Sequence, residues 1–255
     1  MHDKKQKTLG FIYSLALFLS LGMFTHTCLA DEIGMADPYE GYNRFMFSFN
    51  DKVDIIIVKP IATVYNAIVP RPLNQGIHNF FNNLNNLPTI ANDLLQFHFY
   101  QAANDSWRLV VNTTIGIGGL FDVASRINLS PYSNDFGLTL ARWGYKNSNY
   151  FVVPFFGPST IRDGIGIPVD YYAFTIYPRI HQDSIRYTLY GVGVIDRRAQ
   201  LLKIQPMMEE IAIDKYIFFR NAYIQYRTYQ IEQNQHLDYD ERESSFAENN
   251  EINHS

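Results

Sequence analysis

The chain has 255 residues, with 21 Lys and Arg against 25 Asp and Glu, and a single cysteine, Cys28. Between residues 31 and 230 the charges balance at 17 of each sign, which argues against the basic face that nucleic acid requires. One cysteine excludes an intramolecular disulfide framework and a thiolate metal site.

Residues 1–30 read as an export signal. Lys4, Lys5 and Lys7 form a basic start, and residues 9–24 are an apolar run too short to span a bilayer comfortably. No later stretch holds eighteen uninterrupted apolar residues, so no transmembrane helix is expected. Cys28 admits two readings: it becomes the lipidated first residue of a lipoprotein, or cleavage after Ala30 removes it. Residues 31–229 then form one domain with a single sizeable core. Residues 230–255, acidic and poor in apolar side chains, are expected to be a disordered tail.

Residues 37–57 predict the first helix. At about 100° per residue, Tyr42, Phe45, Met46, Phe49, Val53, Ile56 and Ile57 share one stripe. Asn43, Asn50, Asp51 and Asp54 lie opposite, while Phe47 and Ile55 break the pattern. So aromatic a stripe must face a core or a lipid. Following an export signal, it reads as a membrane-facing helix carried by Tyr42, Phe45, Met46, Phe49 and Val53.

Pro60, Pro70 and Pro72 punctuate the exit, and residues 69–72 are expected to be extended. A second helix gathers Leu73, Ile77, Phe80, Phe81 and Leu84 on one face and ends at Leu87-Pro88. Its other sides are crowded with Asn and Gln, which by the usual rule face solvent. A third helical region runs from about residue 90 to 113. Gly116, Gly118 and Gly119 then permit turns or close approach, but match neither a dinucleotide fingerprint nor a phosphate loop. They read as an ordinary turn or as a gating loop.

Residues 150–160 predict a short strand or an extended apolar loop, and two prolines exclude a central strand. Arg162 and Asp163 follow it as a local ion pair, by itself worth little. Helix is expected again over residues 180–208 and 214–229, with Asp214 as a cap. Nucleophile elbows, Ser–Lys pairs, zinc-binding His motifs and paired cysteines are all missing, so neither catalytic nor metal residues nor a cofactor are assigned.

Several of these stretches, taken in order, resemble the MlaA (VacJ) family. They are Asp37-Pro38-Tyr39-Glu40-Gly41-Tyr42-Asn43-Arg44, Asn112-Thr113-Thr114-Ile115-Gly116, and Gly119-Leu120-Phe121-Asp122-Val123-Ala124. Phe136-Gly137-Leu138-Thr139-Leu140, the run from Pro154 to Asp163, and Arg198-Ala199-Gln200-Leu201-Leu202 continue the match. The leader departs from the usual lipobox, which puts the anchor and not the body in question. The resemblance implies a mainly α, ring-like domain in the periplasmic leaflet of the outer membrane, with few or no strands. It implies non-enzymatic transport of phospholipid out of the outer leaflet, through a channel, to a periplasmic carrier of the MlaC type, beside an outer-membrane porin trimer. Gly116, Gly118 and Gly119 would form the gating loop, and Phe155, Phe156, Arg162 and Asp163 the pore edge. A porin tether without transport is the alternative, and a lipid hydrolase, lacking its nucleophile motifs, ranks third.

Overall fold

The computed structural model describes residues 37–252; the leader and Cys28 lie outside them. The described chain is mainly helical, with one two-stranded hairpin. None of its helices is long and apolar enough to cross a membrane.

Helix α1 (Glu40–Val53) runs through a five-residue π turn (Asp54–Val58) straight into α2 (Lys59–Ile68). Pro60 therefore does not end the helix. The Lys59 N–H reaches back to the Asp54 carbonyl, and the widened turn leaves room that the proline ring would otherwise contest. Val69 and Pro70 are extended as expected, but Arg71 and Pro72 already open α3 (Arg71–Leu95), where a proline in the first turn costs no hydrogen bond.

Helix α3 also passes through Pro88, where the sequence pattern stops it. A proline inside a helix costs about 3 kcal/mol. Here both halves bury the same polar stripe, Asn74, Asn83 and Asn86 before it and Thr89, Asn92 and Asp93 after it. Breaking the helix would forfeit those tertiary bonds.

The chain break falls later, at residues 96–98. The His98 N–H donates to the Asp93 carbonyl and the Phe97 N–H to the Leu94 carbonyl, with Phe97 itself at φ +64°. That is a Schellman cap with phenylalanine in the place glycine usually takes. Helix α4 (Phe99–Thr114) follows and packs along α3.

Beyond α4 come α5 (Phe136–Arg142), strands β1 (Tyr150–Val153) and β2 (Gly157–Thr160), and α6 (Ile161–Val169). The strands are antiparallel, with Tyr150 opposite Thr160 and Val153 opposite Gly157. Helices α5 and α6 touch backbone to backbone, because a Cβ on Gly166 would lie 2.8 Å from the Gly137 nitrogen. The predicted helix 180–208 divides at residues 202–204 into α7 (Asp183–Leu201) and α8 (Gln205–Ile211).

Helix α9 (Lys215–Ile252) starts where Asp214 caps it, Oδ1 accepting from the Ile217 N–H at 3.2 Å. It continues well past the expected end at 229. Gln230 and Asn234 are buried, and the Tyr132 hydroxyl donates to Asn234, so part of the presumed tail packs on the body.

Tyr150, Val152 and Tyr216 form one apolar core cluster, with Met46, Phe47, Tyr223 and Ile224 against them. Phe47, one of the two residues that broke the predicted stripe, points inward, edge-on to Tyr216 at 5.8 Å.

Candidate functional site

The helices are inverted relative to a water-soluble bundle. Asn43 is fully buried while Phe45, two residues on, is 65% exposed. The same holds along α1 and the π turn, where Tyr42, Phe49, Ile56 and Ile57 are exposed and Asp54 turns inward to Arg198. Among the predicted membrane-facing residues, Tyr42, Phe45 and Phe49 lie on the surface. Met46 and Val53 are half-buried, and Met46 joins the core.

The Asn-rich sides of α3 are divided: Gln75 and Asn82 are exposed as expected, but Asn74, Asn83, Asn86 and Asn92 are interior, against the expectation that they meet solvent. Buried amides cost free energy unless they are bonded, and these are bonded to one another. Gln200 donates to Asn74 at 2.9 Å, Asn74 to Asn66 at 2.9 Å, and Asn66 to the Ala199 carbonyl at 3.0 Å. Asn92 donates to Asp170 at 2.8 Å and accepts from Thr139 at 2.7 Å, while Gln96 donates to both Asn134 and Thr139. Arg198 grips Asp54 with two contacts of 2.7 and 2.8 Å.

Two asparagines of α1, seven residues and so two turns apart, hold the hairpin. Asn43 Nδ2 donates to the Tyr150 carbonyl at 3.2 Å and to Asp37 at 2.8 Å, and its Oδ1 accepts from the Val152 N–H at 2.8 Å. Asn50 repeats the pattern with the Val153 carbonyl and the Phe155 N–H, at 3.0 and 2.7 Å. Each side-chain amide satisfies a stretch of β1 edge as a neighbouring strand would. Tyr42 stacks on Phe151 and Phe49 meets Phe155 edge-on, so the exposed stripe of α1 continues onto the hairpin tip.

The four residues expected at one pore edge are separated. Phe155 and Phe156 are exposed at the hairpin tip, with Phe155 at φ +65°. Arg162 and Asp163 are buried instead, and they form far more than a local pair. Asp163 accepts from Arg162 at 2.9 Å, from the Tyr223 hydroxyl at 2.7 Å, and from Arg227 at 2.8 and 3.1 Å. Arg227 also grips Asp135 at 2.6 and 3.0 Å, and Asp135 caps α5 through the Leu138 N–H. Burial alone would raise the Asp163 carboxyl; Arg227 and Arg162 overcome it and hold the group below the ordinary carboxylate range. Gly137 makes this possible, since a Cβ there would sit 2.3 Å from Asp163 Oδ1.

The glycine segment forms a hydrogen-bonded turn. Gly118 and Gly119 have φ of +68° and +89°, and their N–H groups bond to the Thr113 and Asn112 carbonyls at 2.8 and 2.7 Å. A Cβ on Gly116 would meet the Phe121 carbonyl oxygen at 2.2 Å, and one on Gly119 would strike Asn83. Gly116 and Gly119 are thus required for close approach as well as for turning.

An apolar groove of about 460 Å³ opens between α3 and α7, lined by Ile77, Phe80, Phe81, Ile185, Leu189 and Val192. Phe81 lies over Gly193, where a Cβ would come within 3.0 Å of the ring. The periodicity of α3 finds this face, but not its open partner on α7.

Asp170, at the start of a π turn (Asp170–Phe174), accepts from the Phe136 N–H at 2.9 Å and from Asn92. Burial lifts its carboxyl to about 6 against both bonds. Its folded value therefore lies above the unfolded one of about 3.9. Its stabilising contribution is whole below about pH 4 and is lost as the pH rises through about 6. The stability difference between the native protein and Asp170→Asn should shift by about 2 kcal/mol against the native protein from pH 4 to pH 7.5, as read by thermal unfolding in mild detergent. A gap independent of pH would contradict this.

Fold and surface together define a class: a helical protein with a hydrogen-bonded polar interior and an apolar exterior. Comparison with known proteins narrows it. The model of the MlaA lipoprotein family matches residues 35–230. The intermembrane phospholipid transport system lipoprotein MlaA of Escherichia coli is 35% identical over 217 residues, 83% of this chain and 85% of that one. Its counterpart in Haemophilus influenzae is 33% identical over 194 residues, 74% and 76% of the two chains. A chain solved in work on the "Structural basis for maintenance of bacterial outer membrane lipid asymmetry" aligns with a TM-score of 0.64 at 33% identity, covering 77% of this chain and 99% of that chain. The chain belongs to the MlaA lipoprotein family.

Proposed function

We propose that this protein is a non-enzymatic component of an intermembrane phospholipid transport system, lodged at the periplasmic face of a bacterial outer membrane. It would take phospholipid misplaced in the outer leaflet through a ring-like amphipathic channel. Delivery to a soluble carrier of the MlaC type would follow, with a porin trimer as neighbour and Cys28 as the point of lipid attachment. The inverted packing carries this proposal. An exterior bearing Phe45, Phe49, Ile56 and Ile57 is stable against acyl chains and not against water. The polar interior suits headgroups, and the groove between α3 and α7 suits an acyl chain. The turn at Gly116, Gly118 and Gly119 would form the gating loop and the tip at Phe155 and Phe156 the pore edge, with Arg162 and Asp163 bracing it from within; hydrogen bonds shape the turn and the tip.

Deleting the gene should cause phospholipid to accumulate in the outer leaflet, read by surface labelling of intact cells, and the wild-type chain should reverse it. Undisturbed asymmetry with loss of porin association would instead establish the tether alternative. Fatty acid released from phospholipid by the purified protein would establish a hydrolase.

A further inference from the structure

We infer that the groove between α3 and α7 is a slot for one acyl chain, which grips the chain and leaves the headgroup unread. The inference rests on the phospholipid reading proposed above and adds how many chains the groove takes and which part of the lipid it selects.

Helices α3 and α7 run antiparallel along a seam that is closed at one end and open at the other. At the closed end Gln200 donates to Asn74 and Asp196 meets His78 Nδ1, each at 2.9 Å. Phe81, only 7% exposed, then lies over Gly193, where a Cβ would come within 3.0 Å of its ring. From that floor towards Ser184 the seam opens. Ile77 and Phe80 form one wall, and Ile185, Leu189 and Val192 the other. Ile185 is 51% exposed, so the slot presents apolar surface that water covers at a cost.

Size and lining choose the occupant. A methylene is close in size to a water molecule, which takes about 30 Å³, so a groove of about 460 Å³ accommodates roughly fifteen of them. That is one membrane acyl chain and not two. A protein helix is about 10 Å across and would need walls longer than the single turn that α3 offers from Ile77 to Phe81. No charged residue lines the groove, so nothing in it distinguishes a zwitterionic headgroup from an anionic one. Its polar side chains are the hydroxyls of Ser184 and Thr188, exposed one turn apart on the α7 rim. They suit the ester carbonyl of a chain whose methyl end rests against Phe81.

The mature full-length chain should be purified in mild detergent. It is then illuminated with palmitoyl lysophosphatidylethanolamine or palmitoyl lysophosphatidylglycerol carrying a diazirine near the methyl end. Label should fall on Phe81 and Val192, read by peptide mass spectrometry, and the two headgroups should label within about twofold of each other. Unlabelled diacyl phosphatidylethanolamine should displace both, since only one of its chains enters. Leu189→Trp fills the slot and should cut this labelling at least about tenfold at an unchanged thermal midpoint. Leu189→Ala should keep it. If Leu189→Trp melts early, Thr188→Trp on the exposed rim carries the same test. Undiminished labelling of the filled slot would overturn the proposal, and so would a preference of about tenfold for one headgroup. Label spread as densely over Phe45, Phe49 and Ile56 as over the slot would overturn it while leaving the phospholipid reading intact. A chain that takes no label from any of these lipids would overturn both. Labelling lost on adding a porin trimer, with the slot newly shielded from hydrogen exchange, would make the occupant a protein, and the proposal would fall.

Discussion

Arg227→Met should destabilise the protein by about 3–5 kcal/mol, read as a fall of roughly 10 °C in the thermal midpoint in mild detergent. The guanidinium is buried and makes four contacts of 3.1 Å or less with two carboxylates, Asp135 and Asp163. Removing it leaves Asp163 with Arg162 as its counter-charge and the Tyr223 hydroxyl as a donor, and Asp135 with its cap to α5 but no counter-charge. Halving the counter-charge on the buried Asp163, more than losing a bond, sets the size of the effect, and the more exposed Asp135 adds less. Three elements then lose their common anchor: α9 through Arg227 and Tyr223, α5 through Asp135, and α6 through Asp163. Arg227→Lys keeps the charge but not the planar fork, so it should fall between the two. A midpoint for Arg227→Met within a degree or two of the native value would show that water or a rearranged Arg162 already satisfies the carboxylates.

What the sequence revealed of this network was its least informative fragment. Arg162 and Asp163 are chain neighbours, and taken alone they deserve the small value that exposed pairs deserve. Their worth comes from Arg227, which is 64 residues from Asp163, and from burial that no local pattern reports. The stripes of α1 and α3 were legible for a different reason. Helical period fixes which residues share a face, so Phe45 with Phe49, and Asn74 with the other α3 amides, could be grouped directly. It does not say which face meets the body. For α3 the water-soluble rule sent the asparagines outward, and the structure sends Asn74 and Asn83 in while leaving Asn82 out. One residue held a clue to the inversion: Phe47, alone among the aromatics of the first helix, sits with the polar set, and it is the one that packs on Tyr216.

Pro60 and Pro88 were misjudged on the same ground. Both are local costs of a few kcal/mol, and both are outweighed by bonds to distant segments, Arg198 with Asp54 in one case and Asp170 with Asn92 in the other. Phe97 and Ile117 carry no sequence signal at all, because nothing in a string of letters marks a left-handed backbone at a phenylalanine or an isoleucine.

Asn43→Asp should cost about 3 kcal/mol or more at pH 7.5, though it changes one atom of a side chain. Asn43 is fully buried, and its amide nitrogen faces two acceptors, Asp37 Oδ1 at 2.8 Å and the Tyr150 carbonyl at 3.2 Å. Replacing that nitrogen by oxygen turns both bonds into repulsions and sets a second carboxylate against Asp37. Only the contact to the Val152 N–H survives. Burial and the Asp37 charge both raise the affinity of the introduced carboxyl for a proton. Its folded pKa therefore lies above the unfolded one, and part of the lost stability should return as the pH is lowered from 7.5 towards 5. The native protein sets the reference at each pH. Asn50→Asp should cost less, because Asn50 is only half-buried and gives up one donor bond instead of two. Equal midpoints for Asn43→Asp and the native chain would mean that the α1–hairpin contact is held by the Tyr42–Phe151 and Phe49–Phe155 rings, with the asparagine amides as bystanders.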